Sequence, residues 1–457
     1  MYDIAIIGGG PGGYAAALYA HNFGLSVALI EKERIGGTCL LRGCVPAKAW
    51  IQSAEVYATV AGAEEFGVIA PDPEFAWPKA LERKKNIVDG LVKGLGGLLK
   101  SRGVDMIDGY GRITAPGEVT VTSADGGETK IATKNTILAT GSSAATIPGY
   151  EINGTTIVTS DHALDWTEQP ERVAVIGAGA IGCEFASFLA EIGTEVHLFE
   201  MESQLVPGME PEAAKVLARE FRKRKITMHL AVGVDKAEIS ESGVTVPYKE
   251  ESVEVDIVLV AVGRRPVTSD VGLDSIGIAT DNGFIEVDRE TMQTTVANVY
   301  AVGDIVGGTP QLAHVAFAEA IAAVTHLATG YTAPVDYNAI PVVVYTHPEI
   351  AWVGKTAADA ADTGHDVTAT EHGMRGIARA IIQGEVGGIV KIVAETDGPI
   401  LGATAVGPGA GEMIHELMYA VGWEALPGEA ASFIHAHPTV SEAIGETLMA
   451  AAGRSLH

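Results

Sequence analysis

The chain has only three cysteines in 457 residues, and two of them, Cys39 and Cys44, lie five positions apart in "GGTCLLRGCVPAK" (Gly36–Lys48). Thiolates are too few for a four-cysteine metal centre. Cys183 is the one other thiolate available, and no histidine falls at a finger-like offset from the pair. Positive charge is also scarce: 31 Lys and Arg stand against 58 Asp and Glu, a net charge of −27. Such a surface repels phosphate backbones, so nucleic acid is not an expected partner. It would attract a basic protein or simply keep the chain soluble, and the second reading is the plainer. Long apolar runs are missing too; none reaches the roughly 18 residues a membrane span needs, so no membrane association is expected. Met1 leads straight into "YDIAIIGGG" with no charged leader, so no secretory signal is expected and the cytoplasm is the expected compartment.

What is present is a globular composition. Hydrophobic residues make up 47% and charged residues 19%, which suits a sizeable core, and the length suggests roughly three domains. In a reducing compartment a close cysteine pair points to redox chemistry or a metal, and the shortage of ligands favours redox. On an ideal helix, residues five apart have Cα atoms roughly 8 Å apart and off a common face. A disulfide needs them closer, so the backbone between Cys39 and Cys44 must depart from a helix, and Gly43 supplies the freedom. A strained, accessible bridge is readily reduced. As an inert staple it would close too short a loop to stabilise much.

A repeat follows from the glycines. "DIAIIGGGPGGYAAALYAHNFGLSVALIEKE" begins at Asp3 and "RVAVIGAGAIGCEFASFLAEIGTEVHLFEME" at Arg172. Each reads as a β-branched strand, a Gly-x-Gly-x-x-Gly turn, a helix of small residues and a second strand ending in Glu. The glycines are Gly8, Gly10 and Gly13, then Gly177, Gly179 and Gly182; the acids are Glu31 and Glu200, each 23 positions after its first glycine. One glycine makes the tight turn, one admits a pyrophosphate to the backbone, and one lets helix and strand pack closely. The helix N-terminus faces the phosphates and the acid accepts hydrogen bonds from ribose hydroxyls. Two copies in register imply two dinucleotides. Met201, Glu202 and Ser203 follow Glu200 with no Arg to receive a 2′-phosphate, which favours NAD over NADP. The first copy sits beside the cysteines, and thiols do not deliver hydride directly, so its dinucleotide is expected to be a flavin.

These residues resemble the flavin disulfide reductases of class I, the flavin-dependent pyridine nucleotide–disulfide oxidoreductases, and within them the dihydrolipoamide dehydrogenases most closely. The resemblance runs the length of the chain: "GGTCxxxGCxPxK", "ILATGSS" (Ile137–Ser143), "GAGAIGCE" (Gly177–Glu184), "VGRRP" (Val262–Pro266), "YAVGDI" (Tyr300–Ile305), "QLAH" (Gln311–His314) and "HAHPTVSEA" (His435–Ala443). It implies an α/β fold with two Rossmann-like dinucleotide-binding domains and a C-terminal α+β dimerisation domain. The expected segments are 1–149 for FAD, 150–270 for NAD, 271–336 returning to FAD, and 337–457 for dimerisation.

The resemblance also implies roles. Cys44 would be the thiol nearest the flavin and Cys39 the one that exchanges with substrate. Lys48 would lie by the isoalloxazine and pair with Glu184, and Asp304 would hold the ribityl chain. Thr38, Gly111, Thr140, Gly141, Ser142, Gln311, Leu312, Ala313 and His314 would also contact FAD, and Val234 and Gly263 would contact NAD. His437 would be the base that activates a thiol, with Glu442 five positions on to hold its far ring nitrogen and Pro438 restricting its backbone. His435 and Cys183 carry no such argument and are expected to be structural.

The expected reaction is oxidation of protein-bound dihydrolipoamide with reduction of NAD, in a homodimer that meets the lipoyl-bearing subunit of a 2-oxo-acid dehydrogenase or glycine-cleavage complex. Departures from the family are Leu41 and Arg42 for Asn-Val and Ala47 for Ser. Arg42 is expected to bring positive charge beside the cysteines and favour thiolate, or to mark an unusual substrate. Glutathione-type reductases would prefer NADPH, against Glu200. Mercuric reductase needs a C-terminal cysteine pair, and this chain ends "AAGRSLH". Water-forming NADH oxidases use one cysteine, and a flavin-binding redox sensor would need neither the pair nor "HPTVSE". A reductase of another low-molecular-weight disulfide stays open.

Overall fold

The computed structural model describes residues 1–241 and 243–457, which form two compact units. The first unit comprises Met1–Trp50, Pro78–Ala145 and Arg264–Val335; the second comprises Ile51–Trp77, Thr146–Gly263 and Asp336–His457. The stretch after residue 270 thus rejoins the amino-terminal segment. Thr146–Gly263 and the C-terminal residues share a unit.

In the first unit the opening strand, Tyr2–Ile7, lies parallel between Val27–Glu31 and the end of Glu128–Leu138. Asp105–Asp108 extends one side of this layer, and Val299–Ala301 joins the other, pairing in parallel with Thr136–Leu138. That last strand is how the third segment closes back on the first. Ile4, Ala5 and Ile6 are fully buried, as a parallel strand covered on both faces requires. One covering layer is Pro11–Ala20, whose Gly12, Gly13, Ala16, Ala17 and Ala20 are buried. Side chains this small let the helix axis come close to the sheet. The β-rich stretch forms an antiparallel meander, Tyr110–Ala115, Glu118–Thr122 and the start of Glu128–Leu138.

The second unit repeats the pattern. A five-stranded parallel sheet runs in the order Thr227–His229, Glu195–Phe199, Arg172–Ile176, Ile257–Val260, Ile157–Thr159. Val173, Ala174 and Val175 are fully buried. The C-terminal part is a five-stranded antiparallel sheet, Val342–Val344, Ile350–Gly354, Ile400–Val406, Ile389–Glu395 and Val367–Gly373. The helices Ala410–Gly422 and Glu442–Ala451 share its core through Met413, Ile414, Leu417, Ile444 and Leu448. Among the described residues no helix is long and apolar enough to cross a membrane.

Candidate active site

The two glycine turns have the same geometry down to single hydrogen bonds. Gly8 and Gly177 take φ of +107° and +101°, where a Cβ would strike the oxygen of Ala139 at 2.3 Å or of Ala261 at 2.5 Å. At Gly13 and Gly182 a Cβ would fall 1.8 Å from the oxygen of Gly8 or Gly177, so only glycine lets helix meet strand there. Glu31 accepts from the N–H of Gly9 at 2.6 Å and of Glu33 at 2.9 Å; Glu200 accepts from Ala178 at 2.7 Å and Glu202 at 3.0 Å. Each acid is thus fixed beside its turn with lone pairs to spare. The helices begin at Gly10 and Gly179 with no side chain capping either, and the space over Gly179 is open. Uncapped N–H groups, bare backbone and a braced carboxylate suit a dinucleotide at each turn. At Gly111 a Cβ would meet Ile30 at 2.9 Å and Ile7 at 3.2 Å.

The cysteines sit where the backbone leaves one helix for another. Gly37–Arg42 is a short helix that carries Cys39, Gly43 breaks it, and Cys44 opens the long helix Cys44–Ala61. A Cβ on Gly43 would come within 2.9 Å of the Thr38 oxygen. The short helix is pressed onto the first nucleotide turn, since a Cβ on Gly37 would lie 2.5 Å from the Cα of Gly10. Cys39 is half-buried and Cys44 exposed, and their thiols are hydrogen-bonded to each other. That bond, then burial and the charge of Cys44, hold the Cys39 thiol well above the usual range; Lys48 opposes the rise and Asp304 adds to it. One cation acting on Cys39 is Lys48, one helical turn after Cys44. The Arg42 guanidinium, expected to favour thiolate, is bound by the Glu33 carboxylate. A neighbour nine positions back takes up its charge.

Around this pair the first unit assembles residues from distant segments. Ser142 Oγ donates to Asp304, and Gln311 Nε2 donates to the Asp304 backbone oxygen at 3.2 Å. Thr140 donates to the oxygen of Val267, and Gly141 takes φ of +71° with open space over it. Leu312 precedes the helix Ala313–Thr329, which places Ala313 and His314 in its first turn. Within that helix the fully buried Glu319 accepts from the Gly303 N–H at 2.6 Å, which fixes the loop leading to Asp304. Two residues here escaped the sequence reading. Arg264 contacts Ser142 and Thr38. Tyr14, half-buried in the first turn-helix and 5.7 Å from the ring of Phe317, has its phenol raised first by burial and then by the charges of Cys39 and Cys44.

In the second unit, Glu184 is buried and accepts from the Tyr345 N–H at 3.0 Å, and Val234 is half-buried against the local core. Gly263 takes φ of +114° with open space over it. Lys48 and Glu184, an expected pair, belong to different units. His437 stands out from the surface with 73% of its side chain exposed, while Glu442 Oε1 accepts from its Nδ1 at 2.9 Å. The Thr439 N–H donates to the other Glu442 oxygen at 2.9 Å. Burial pushes the Glu442 carboxyl up, but the Thr439 N–H and His437 outweigh it and hold it below the usual range. Nδ1 is thus the nitrogen of His437 that Glu442 holds. His435 is engaged by Glu416 at 2.8 Å and packs against Gly445, a structural setting. Cys183 is fully buried, its thiol donating to the Ala178 oxygen at 3.2 Å and raised by burial.

Comparison with known proteins gives the family. Residues 2–320 match the family described as pyridine nucleotide-disulphide oxidoreductase, and residues 340–448 match its dimerisation domain. The dihydrolipoyl dehydrogenase of Bacillus subtilis is 38% identical, with 100% of this chain and 99% of that protein covered. The leghemoglobin reductase of Glycine max is 39% identical over 98% of this chain and 87% of its own. Among solved structures, LpdA from Mycobacterium tuberculosis superposes with a TM-score of 0.91 at 28% identity, covering 98% of this chain and 99% of that one. The HOCl-induced flavoprotein disulfide reductase RclA of Escherichia coli gives 0.88 at 25% identity, covering 98% and 99%. With its paired nucleotide turns, its thiol pair and a dimerisation domain behind them, the chain belongs to the pyridine nucleotide-disulphide oxidoreductase family.

Proposed function

We propose that this protein oxidises the dihydrolipoyl group of a partner protein to lipoyl and reduces NAD, with FAD between them, and that it works as a homodimer. The observation that carries the reading is the thiol pair built onto the first nucleotide turn, Gly37 against Gly10, in a chain whose second turn is braced by Glu200, an acid followed in sequence by Met201, Glu202 and Ser203. Full-length likeness to proteins named dihydrolipoyl dehydrogenase, from Bacillus subtilis at 38% and Haloferax volcanii at 38%, supports the same substrate.

FAD fits the first turn, where Gly8, Gly10, Gly13 and Glu31 would hold it. Thr38, Lys48, Gly111, Thr140, Gly141, Ser142, Asp304 and Gln311–His314 would line the remainder. NAD fits the second turn, where Gly177, Gly179, Gly182 and Glu200 would hold it, with Val234 and Gly263 as further contacts. The flavin supplies the two-electron relay that neither thiols nor nicotinamide provide alone.

This chain's residues account for the thiol chemistry. His437 of the partner subunit accepts a proton from one dihydrolipoyl thiol, and Glu442, holding Nδ1, fixes the tautomer that can do so. The thiolate attacks Cys39 Sγ in the oxidised pair; a mixed disulfide forms and Cys44 leaves as thiolate. The second lipoyl thiol attacks its neighbouring sulfur, its proton passes to the departing Cys39 sulfur, the lipoyl ring closes and Cys39 is freed as a thiol. Lys48, one turn from Cys44, favours the charged form of the pair. Overall, dihydrolipoyl and NAD become lipoyl, NADH and a proton. The partner subunit is that of a second copy of this chain, and the dihydrolipoyl donor is the lipoyl-bearing subunit of a 2-oxo-acid dehydrogenase or glycine-cleavage complex, met in the cytoplasm.

Replacing Cys44 tests the assignment. Cys44→Ser should retain FAD, which is held by the turn and Glu31, and should lose dihydrolipoamide oxidation. Wild-type turnover in that variant would overturn the reading.

A further inference from the structure

Arg264 opens the short strand Arg264–Pro266, which pairs antiparallel with Ser142–Ala144. These are the segments by which the chain leaves the first unit after Ala145 and re-enters it at Arg264. The Arg264 guanidinium donates from Nε to Ser142 Oγ at 2.7 Å and from Nη2 to the Ser142 backbone oxygen at 2.7 Å. The same Nη2 reaches Thr38 Oγ1 at 3.4 Å. Ser142 Oγ, accepting from the guanidinium, donates its own hydrogen bond to the Asp304 carboxylate. A continuous chain of donors therefore runs from a fixed cation through a hydroxyl to an anion.

Both ends of that chain matter to the thiols. Thr38 is the residue before Cys39 in the short helix Gly37–Arg42. Asp304 is one of the charges that disfavour ionisation of Cys39. A planar, permanently charged fork can engage Ser142 at two points and Thr38 at a third, which an ammonium on a flexible stem cannot reproduce.

We propose that Arg264 is a positioning residue of the redox site, which ties the Cys39 helix to the Ser142–Asp304 side of the flavin cradle and lends positive charge, through Ser142, to the carboxylate beside Cys39. The inference rests on the reading that flavin occupies the first nucleotide turn. It assigns Arg264 no contact with substrate; the residue acts through Thr38, Ser142 and Asp304.

Purified, flavin-loaded wild type, Arg264→Met and Arg264→Lys would be compared in three measurements. These are release of FAD on dilution, read by flavin fluorescence, alkylation of reduced Cys39 by iodoacetamide across pH, located by mass spectrometry, and the thermal unfolding midpoint. Losing the charged fork should speed FAD release about tenfold and slow Cys39 alkylation near neutral pH about tenfold in Arg264→Met. Arg264→Lys, keeping the charge but not the fork, should recover alkylation more than FAD retention. Release and alkylation within twofold of wild type in both variants would overturn the inference. So would a lowered unfolding midpoint with neither of the other readouts changed, since Arg264 would then only pin the ribbon. Wild-type protein carrying no flavin would overturn the functional reading and this inference with it, whereas bound flavin indifferent to Arg264 would overturn the inference alone.

Discussion

Replacing Glu442 by Gln isolates the base from the rest of the machinery. The amide keeps an oxygen for the Thr439 N–H but turns an NH2 group toward His437 Nδ1, where a carboxylate oxygen now accepts at 2.9 Å. The imidazole loses its charge-assisted partner and the support of its tautomer. A hydrogen bond to a charged group is worth about 1.5–3 kcal/mol. His437 is 73% exposed, so solvent screening puts the effect at the low end. About 1.5 kcal/mol corresponds to roughly a tenfold fall in kcat/KM for dihydrolipoamide. His437→Gln, which removes the base itself, should cost about 100-fold or more. Each variant would be assayed twice: dihydrolipoamide with NAD, and NADH with ferricyanide, which accepts electrons without thiol exchange. The second rate should stay within twofold of wild type. An unchanged dihydrolipoamide rate in Glu442→Gln, or an equal fall in both assays, would refute the role given to the pair.

Other perturbations probe separate parts of the account. Glu200→Arg removes the acid that braces the second turn through Ala178 and Glu202, so NAD use should fall about tenfold while the preference for NAD over NADP narrows; an unchanged NAD-to-NADP ratio of kcat/KM would refute it. Lys391, with 9% of its side chain exposed, is held by Glu210 and Glu212 at 2.8 Å each. Burial lowers the Lys391 pKa but the two carboxylates raise it above 10.5, while the hydrogen bond from Lys391 lowers that of Glu212 below 4.5. The raised lysine stabilises fully below 10.5 and loses that as pH climbs past its folded value; the lowered carboxylate stabilises above 4.5 and loses that as pH falls past its own. Lys391→Met should therefore cost about 3–5 kcal/mol near neutrality by urea unfolding, with the deficit shrinking at both extremes, and a deficit constant across pH would refute it. For the shared site, a Cys44→Ser subunit mixed with a His437→Ala subunit, each inactive alone, should regain part of the activity, because one site then pairs intact cysteines with an intact His437 from the other chain. A mixture that stays inactive would refute sharing.

What could be read from the sequence is what acts through the backbone of a few consecutive residues. The glycines of both turns announce themselves because Gly8, Gly13, Gly177 and Gly182 occupy positions where a Cβ has no room. The break at Gly43 follows from the geometry five residues allow. The hold of Glu442 on His437 lies within one turn of chain. What could not be read is what the fold brings together from afar. Thr38 meets Arg264 across 226 positions and Ser142 meets it across 122, so "VGRRP" was visible as a motif while the use of its arginine was not. Arg42 is near the cysteines in sequence, while its ion-pair partner Glu33, nine positions back, was not singled out. Tyr14 follows the third glycine of a nucleotide turn, and nothing local shows that its phenol would stand among the charges of Cys39 and Cys44. Nor does the sequence show that residues 51–77 join the second unit.

The central claim is tested most directly by the rate of NADH formation when purified, FAD-containing protein receives dihydrolipoamide and NAD, set beside its reduction of glutathione disulfide with NADH and with NADPH. The account predicts rapid NADH formation from dihydrolipoamide, abolished when Cys39 and Cys44 are alkylated, and rates with glutathione disulfide lower by about 100-fold or more. Faster turnover of glutathione disulfide than of dihydrolipoamide, or dihydrolipoamide turnover that survives loss of both thiols, would contradict it.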